Sequence, residues 1–297
     1  MLNRLCGGVI LWLLAHGCLL AGDEPHITLV VSGSLRGRVE GCHCPGGFTG
    51  GLARRAEALN RLFPKNIPPG IDCGGILDLD PEGGKAASRC AVLGLAGQGL
   101  RVLGAAPRDL FYGIPYLQSL TDSVGIQLVS ANLIEPASGK LIFNRWALIN
   151  VNGFLTAITS LVDYQEGRRF TAPIGWTRCP PDSVLDELVK TKPENAAFLI
   201  LLTDMGRENL QKFLSHSPIY FDLVVTSNRH FDVDQPSVID GILVVRPAQD
   251  GNALNHVVLH SGTLPEFITT PLPEKARKDQ STVVWVDKCL GRNVPEK

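Results

Sequence analysis

The sequence predicts an α/β fold with a mixed arrangement of strands, and three observations carry that reading. Short β-branched or aliphatic runs alternate with segments of helical apolar spacing along most of the chain. Some runs, such as Phe198 to Leu202, are apolar throughout, as strands buried on both faces are. Asn152-Gly153 stands between two apolar runs, a strong short-range signal for a hairpin and hence for antiparallel pairing. A chain of 297 residues can build one large α/β domain with a full core, or two small ones.

The elements follow in order. His26 to Ser32 reads as a buried strand running into glycine. Gly41 to Gly51 holds five glycines and a proline and reads as a loop. Leu52 to Leu62 has helical spacing, and Pro68 to Gly75 reads as a short strand running into a tight turn. Ala86 to Gly99 reads as a helix, Leu100 to Leu103 as a strand, Ile114 to Asp122 as an amphipathic helix and Gln127 to Ala131 as a strand. Trp146 to Val151 and Phe154 to Thr159 form the hairpin. Ser183 is the predicted N-cap of a helix through Lys190. Phe198 to Leu202 is a strand, Gly206 to Leu214 a helix, Leu223 to Thr226 a strand and Ile239 to Ile242 a tight turn. Asn255 to Leu259 and the β-branched run Thr282 to Val286 are expected as late strands, with Pro265 to Gln280 an exposed connection.

The first residues have the grammar of a secretory leader. Arg4 supplies the positive start, Leu5 to Ala15 the apolar stretch, and small residues follow, with cleavage expected near Ala21 or Gly22. The expected organisation is therefore a signal peptide over 1–22 and one domain over 23–297. The product is expected in a periplasmic or extracellular compartment. Ala15-His16-Gly17-Cys18 offers an alternative, a lipoprotein box that would leave the chain lipid-anchored at Cys18. No later segment is apolar enough to span a bilayer, so no transmembrane segment is expected in the mature chain. A net charge of −1 with 19% charged residues provides no basic surface for nucleic acid.

Six cysteines remain beyond the leader: Cys42, Cys44, Cys73, Cys90, Cys179 and Cys289. In an oxidising compartment they point first to disulfides, with fifteen possible pairings. There is no Cys-x-x-Cys-His for haem, no phosphate-binding P-loop and no Gly-x-Ser-x-Gly elbow. His256 and His260 share a strand face without metal-pair geometry.

Six segments carry a family pattern. They are Val31-Ser32-Gly33-Ser34-Leu35-Arg36-Gly37, Gly50-Gly51-Leu52-Ala53-Arg54-Arg55 and Ile71-Asp72-Cys73-Gly74-Gly75. Further on come Ala106-Pro107-Arg108-Asp109-Leu110-Phe111-Tyr112-Gly113, Leu201-Leu202-Thr203-Asp204-Met205-Gly206, and Asp222 to His230. Their order and spacing resemble the secreted 5'-nucleotidase branch of the calcineurin-like metallophosphoesterases. Ser130-Ala131-Asn132 also matches a strand end of that family. The resemblance implies a four-layer α/β/β/α sandwich of the metallo-dependent phosphatase type, with its site on loops at the strand ends. It covers the N-terminal domain only. The chain ends before a nucleotide-base-holding second domain could start, so weak nucleotide selectivity is expected of any active form.

The resemblance also implies a degenerate dinuclear site. The first-loop Asp and His of the family fall on Ser34 and Arg36, the bridging Asp on Gly75, and the Asn and catalytic His on Pro107 and Arg108. A further His becomes Asp204, another becomes Asn228, and one survives as His230. Two hard cations need carboxylate and imidazole ligands, which Ser34, Arg36, Gly75, Pro107 and Arg108 do not supply. His230, Asp204 and Asp109 could hold a single metal. Arg36, Arg108 and Arg229 fall in former metal motifs and could instead bind an anion. The loops that carry Cys42-His43-Cys44 and Cys73 are implied to be neighbours, with Cys90 a further candidate partner. Cys42 or Cys44 joined to Cys73 or Cys90 is one reading, and a zinc site shared with His43 is the other. The expectation is an exported, non-catalytic binding or scaffold protein with an anionic small molecule or a protein as partner and no cofactor. The alternative is a residual phosphoesterase with a remodelled site, holding one divalent metal or a zinc on the cysteines.

Overall fold

The computed structural model describes residues 26–44, 47–163 and 175–292, the side chains of 43 and 44 excepted. The expected leader over 1–22, with Cys6 and Cys18, lies outside the described residues, as do the side chains of His43 and Cys44. The first half runs β1 (His26–Ser32), β2 (Cys42–Cys44), β3 (Gly47–Thr49), α1 (Leu52–Leu62), β4 (Gly70–Asp72), α2 (Gly84–Gly97), β5 (Leu100–Gly104), α3 (Ile114–Asp122) and β6 (Gln127–Val129). Then come β7 (Leu133–Ile134), β8 (Ala147–Val151), β9 (Phe154–Leu161), β10 (Thr177–Arg178), α4 (Leu185–Thr191), β11 (Phe198–Thr203), α5 (Arg207–His216) and β12 (Leu223–Thr226). The chain closes with β13 (Ser237–Ile239), β14 (Ile242–Val245), β15 (Ala253–His260), β16 (Glu266–Pro271) and α6 (Gln280–Cys289).

Two six-stranded sheets form, ordered β16-β15-β1-β4-β5-β6 and β13-β14-β12-β11-β9-β8. In the first, β1, β4, β5 and β6 run parallel while β15 and β16 pair antiparallel. In the second, β9, β11, β12 and β14 run parallel, and β8 and β13 are antiparallel edges. The sheets face each other: Ile27, Leu29, Val31, Ile71 and Val102 of the first share one core with Ile158, Ile200, Leu202, Val225 and Val245 of the second. The outer face of the first sheet packs on α2, α3 and α6 through Leu95, Leu103, Leu117 and Val286. The outer face of the second packs on α4 and α5 through Leu188, Leu210, Phe213 and Val224. The layers are α/β/β/α, as expected, and strands buried on both sides explain why runs such as Phe198–Thr203 carry no alternation.

Several local expectations hold to the residue, including β1, α1, α3 and β12. Asn152 (φ 54°) and Gly153 (φ 90°) turn β8 into β9 in the left-handed region that a two-residue hairpin demands. Three expectations are corrected. Thr282 to Val286 lies in helix α6, because Asp279 caps it by accepting the Thr282 N–H at 2.7 Å and Trp285 and Val286 pack on the core. Within Pro265 to Gln280, Glu266–Pro271 is edge strand β16, zipped to β15. Ser183 does not cap a helix; its hydroxyl turns back to the Pro180 carbonyl inside a 3-10 turn that precedes α4. The Gly41 to Gly51 loop also contains the small β2–β3 pair.

The cysteine pairing expected between Cys42 or Cys44 and Cys73 or Cys90 is also overturned. Cys90 of α2 is bonded to Cys289 of α6, 199 residues away. Cys73 is buried and free. Cys42 is disulfide-bonded, and its partner is none of Cys73, Cys90, Cys179 or Cys289. The cause is topological: Cys73 leaves β4 pointing into the core between the sheets, whereas Cys90 faces outward under α6.

Candidate functional site

The parallel strands of both sheets end at one edge, where their loops surround a cavity of about 640 Å³. It is lined by Ser34 and Arg36 after β1, Gly74 and Gly75 after β4, and Pro107 and Arg108 after β5. The second sheet contributes Asp163 after β9, Asp204 and Gly206 after β11, and Asn228 and Arg229 after β12. Open α/β sheets place ligands at such strand ends. Another hollow, of about 750 Å³, lies beside α3 and β6 between Gln118, Asp122, Phe143 and Arg145, away from these loops.

The first two loops are laced together. The Ser34 N–H donates to the Gly74 carbonyl at 2.7 Å, Arg36 N–H to Gly75 at 3.0 Å, and Gly37 N–H to Ile76 at 2.7 Å. Ser34 (φ 54°) and Arg36 (φ 55°) sit in the left-handed region, which costs an L residue of order 1 kcal/mol each. At Gly75 (φ 83°) an added Cβ would stand 3.2 Å from Ser34 Cα, so a side chain there meets both backbone strain and the facing loop. A carboxylate-bearing residue at position 75 would therefore be strained here.

Asp109 accounts for the shape of the second and third loops. It is fully buried, and its carboxylate accepts the N–H groups of Gly75 (2.8 Å), Ile76 (2.8 Å), Leu77 (3.3 Å) and Ala106 (3.1 Å). Burial pushes its carboxyl pKa up, and those hydrogen bonds oppose the rise. Pro107 opens the short 3-10 turn that carries Asp109, at a first-turn position where its missing N–H is harmless.

The arginines expected to converge do line one cavity. Arg36 donates to Gln249 Oε1 at 3.0 Å and lies 3.9 Å from Asp250. Arg108 donates from Nε to the Leu77 carbonyl at 2.8 Å. Burial lowers the Arg108 pKa, and the charge of Arg36 lowers it further. Arg229 is exposed on the rim. A fourth guanidinium stands behind them. Arg246, 8% exposed, donates to the Phe231 carbonyl at 3.0 Å and leaves its Nε without a partner among the described residues. Burial first, then Arg36, holds its pKa down.

The expected single-metal set of Asp109, Asp204 and His230 is not assembled, and no three His, Cys, Asp or Glu groups converge for a metal ion among the described residues. Asp109 is turned inward onto backbone N–H groups. His230 is exposed. Asp204 Oδ1 accepts the Asp163 N–H at 2.6 Å, and burial with the neighbouring Asp163 charge raises its pKa to about 6. Asn228 braces this wall, donating to the Asp204 carbonyl at 2.7 Å and accepting the His230 N–H at 2.9 Å. The zinc alternative loses Cys90 to its bond with Cys289, and burial holds the Cys73 thiol pKa well up.

Asp163, Arg246, Gln249 and Asp250 were not found by motif. The signal that would have found the first two is a charged residue directly after an apolar strand: Leu161-Val162-Asp163 and Val244-Val245-Arg246.

Beneath the cavity, Asp72 is fully buried, accepting the Gly74 N–H at 2.7 Å and paired with the Ser32 hydroxyl at 2.6 Å. Burial raises its pKa to about 7. Since the unfolded value is near 3.9, the folded state binds more protons between these values. Stability contributed by the protonated carboxyl is therefore present below about pH 4 and is lost as pH rises towards 7. Asp72→Asn is expected to flatten the pH dependence of urea unfolding between pH 4 and 7. An unchanged slope across that window would contradict the assignment.

The sequence matches no protein-family model and no curated protein. Solved structures do match. The sulfate thiohydrolase SoxB of Thermus thermophilus aligns with a TM-score of 0.73 at 14% identity over 89% of this chain and 60% of its own. A 5'-nucleotidase precursor of the same organism aligns at 0.67 and 15%, over 89% and 58%. The calcineurin-like phosphoesterase YfkN of Bacillus subtilis aligns at 0.69 and 13%, over 90% and 97%. The chain thus spans about three fifths of the first two, and it has the metallophosphoesterase fold that the motifs implied.

Proposed function

We propose that this chain is an exported metallophosphoesterase relative that has exchanged a dinuclear metal centre for an arginine-lined anion site, and acts by binding. The observation that carries this reading is a pair of arginines, Arg36 and Arg108, lining one cavity at the strand ends. The motif resemblance puts Ser34, Arg36, Gly75, Pro107, Arg108 and Asn228 where that family has metal ligands, which supports reading the arginines as a replacement. Two metal ions hold a phosphoryl group by charge. Guanidiniums supply positive charge and fork-shaped donors, but no Lewis acid to generate hydroxide. The proposed ligand is a small molecule with a phosphate, sulfate or carboxylate group.

Export is supported by the leader pattern and by the Cys90–Cys289 disulfide, a bond that persists in oxidising compartments. No helix among the described residues is long and apolar enough to cross a membrane. The proposed organisation remains a leader over 1–22 followed by one domain over 23–297.

The test has two parts. The purified protein is expected to hold less than 0.2 equivalents of metal and to show no turnover on nucleotide or aryl phosphates with added manganese. Millimolar sulfate is expected to raise the melting temperature, as any native-state ligand does. Arg36→Ala and Arg108→Ala are expected to lose that shift. Two tightly held metal equivalents, or equal sulfate stabilisation of wild type and both variants, would refute the reading.

A further inference from the structure

Apart from Arg229, exposed on the rim after β12, the charged side chains lining the cavity form two poles. Arg36 and Arg108 enter from the strand ends of the first sheet, whereas Asp163 and Asp204 enter from β9 and β11 of the second. The strongest charged neighbours divide in the same way. Arg36 is the neighbour that weighs most on Arg108, and Asp163 the charged side chain that weighs most on Asp204. Arg178 is the cation that bears most on Asp204, ahead of the cavity arginines.

Each pole already has protein partners. Gln249 and Asp250 hold Arg36, and Asn209 donates to Asp163 Oδ2 at 2.6 Å. These contacts fix the side chains in direction, so both poles are pre-organised. A simple oxyanion uses only the arginine pole and must approach two carboxylates across the same space. That repulsion disappears when the ligand carries its own cation.

We infer that the cavity takes a dipolar small molecule of the aminoalkyl phosphate class, its anionic head on Arg36 and Arg108 and its ammonium on Asp163 and Asp204. This rests on the anion-site reading above and narrows the ligand class. The ammonium is a compact donor suited to two neighbouring carboxylates. The separation of poles also predicts discrimination, because an analogue lacking the amine leaves the carboxylates facing uncompensated negative charge.

Matched pairs test this by titration calorimetry on the intact protein at pH 7.5: ethyl phosphate against 2-aminoethyl phosphate, and butyl phosphate against 4-aminobutyl phosphate. At one or both lengths the amine is expected to tighten binding at least five-fold. Asp163→Asn is expected to abolish the amine's advantage while leaving the alkyl phosphate bound as well or better. Asp204→Asn, checked for fold by circular dichroism, is the second variant. Arg108→Ala is expected to weaken all four ligands. If alkyl phosphates bind but the amine adds less than five-fold at both lengths, the dipolar inference fails and the anion site stands. An amine advantage that survives in both Asp variants also overturns it. If no phosphate binds, the anion reading and this inference fall together.

Discussion

Asp109→Ala is expected to lower the melting temperature by 8 °C or more, although the residue lies under the cavity rather than in it. Four backbone N–H groups from two loops converge on this one carboxylate. Removing it leaves buried donors unpaired, each costing about 1–3 kcal/mol. The losses are not additive, since the loops relax together, and a total of about 4 kcal/mol is the working expectation. For a domain of this size that is roughly 8–16 °C. Asp109→Asn keeps one acceptor oxygen and is expected to cost about half as much. Thermal unfolding of the three proteins under one buffer decides it. A loss below about 1 kcal/mol for the alanine variant would mean that the loops hold themselves without Asp109.

Reduction of the Cys90–Cys289 bond is expected to be of similar size. The bond closes a loop of 199 residues, for which the chain-entropy account gives about 5 kcal/mol, and measured bonds commonly deliver about 2–4 kcal/mol. Its position makes the loss local as well. α6 is tied to α2 at its last residue, and Arg292 just beyond it pairs with Glu40 through two contacts of 2.7 and 2.8 Å. Cys289→Ser is therefore expected to lower the urea midpoint strongly and to expose the amides of α6 to hydrogen exchange before the rest of the first sheet. An unaltered midpoint would show that α6 is held by its apolar face alone.

The parts of this fold that were legible in the sequence are those decided by neighbours along the chain. Strand β1, helices α1 and α3, and the Asn152-Gly153 turn depend on local spacing and on left-handed backbone that few residues accept. Helix α6 was not legible. Thr282-Val283-Val284-Trp285-Val286 has the composition of a strand, and its helical state is fixed by the Asp279 cap and by packing on the core beside α2. Strand β16 is half-exposed at a sheet edge, so neither continuous burial nor clear alternation marks it. The Cys90–Cys289 pairing joins segments far apart in sequence, which spacing cannot reveal.

The candidate site shows the same division. Positions inside a family motif were found, and Arg36, Arg108 and Arg229 do meet at one cavity. What surrounds them was not. Arg246 and Asp163 follow apolar strands without any motif, and Asp250 pairs with Arg36 from a turn 214 residues later. Asp109, a carboxylate in a metal motif, suggests a metal ligand. Its environment of backbone donors, which only the folded loops create, gives it a different task. The sequence pattern points to the positions around the cavity; the packing determines what the residues there do.

The central claim, an anion site where two metals would otherwise stand, is tested most directly by one crystal structure. The protein would be crystallised with tungstate and manganese together, and anomalous diffraction collected at an edge of each element. A tungstate within hydrogen-bond reach of Arg36 and Arg108, with no manganese in the cavity, is the expected result. Two manganese peaks about 3.5–4 Å apart among Ser34, Gly75, Asp204 and His230, the spacing of a two-metal clamp, would contradict it.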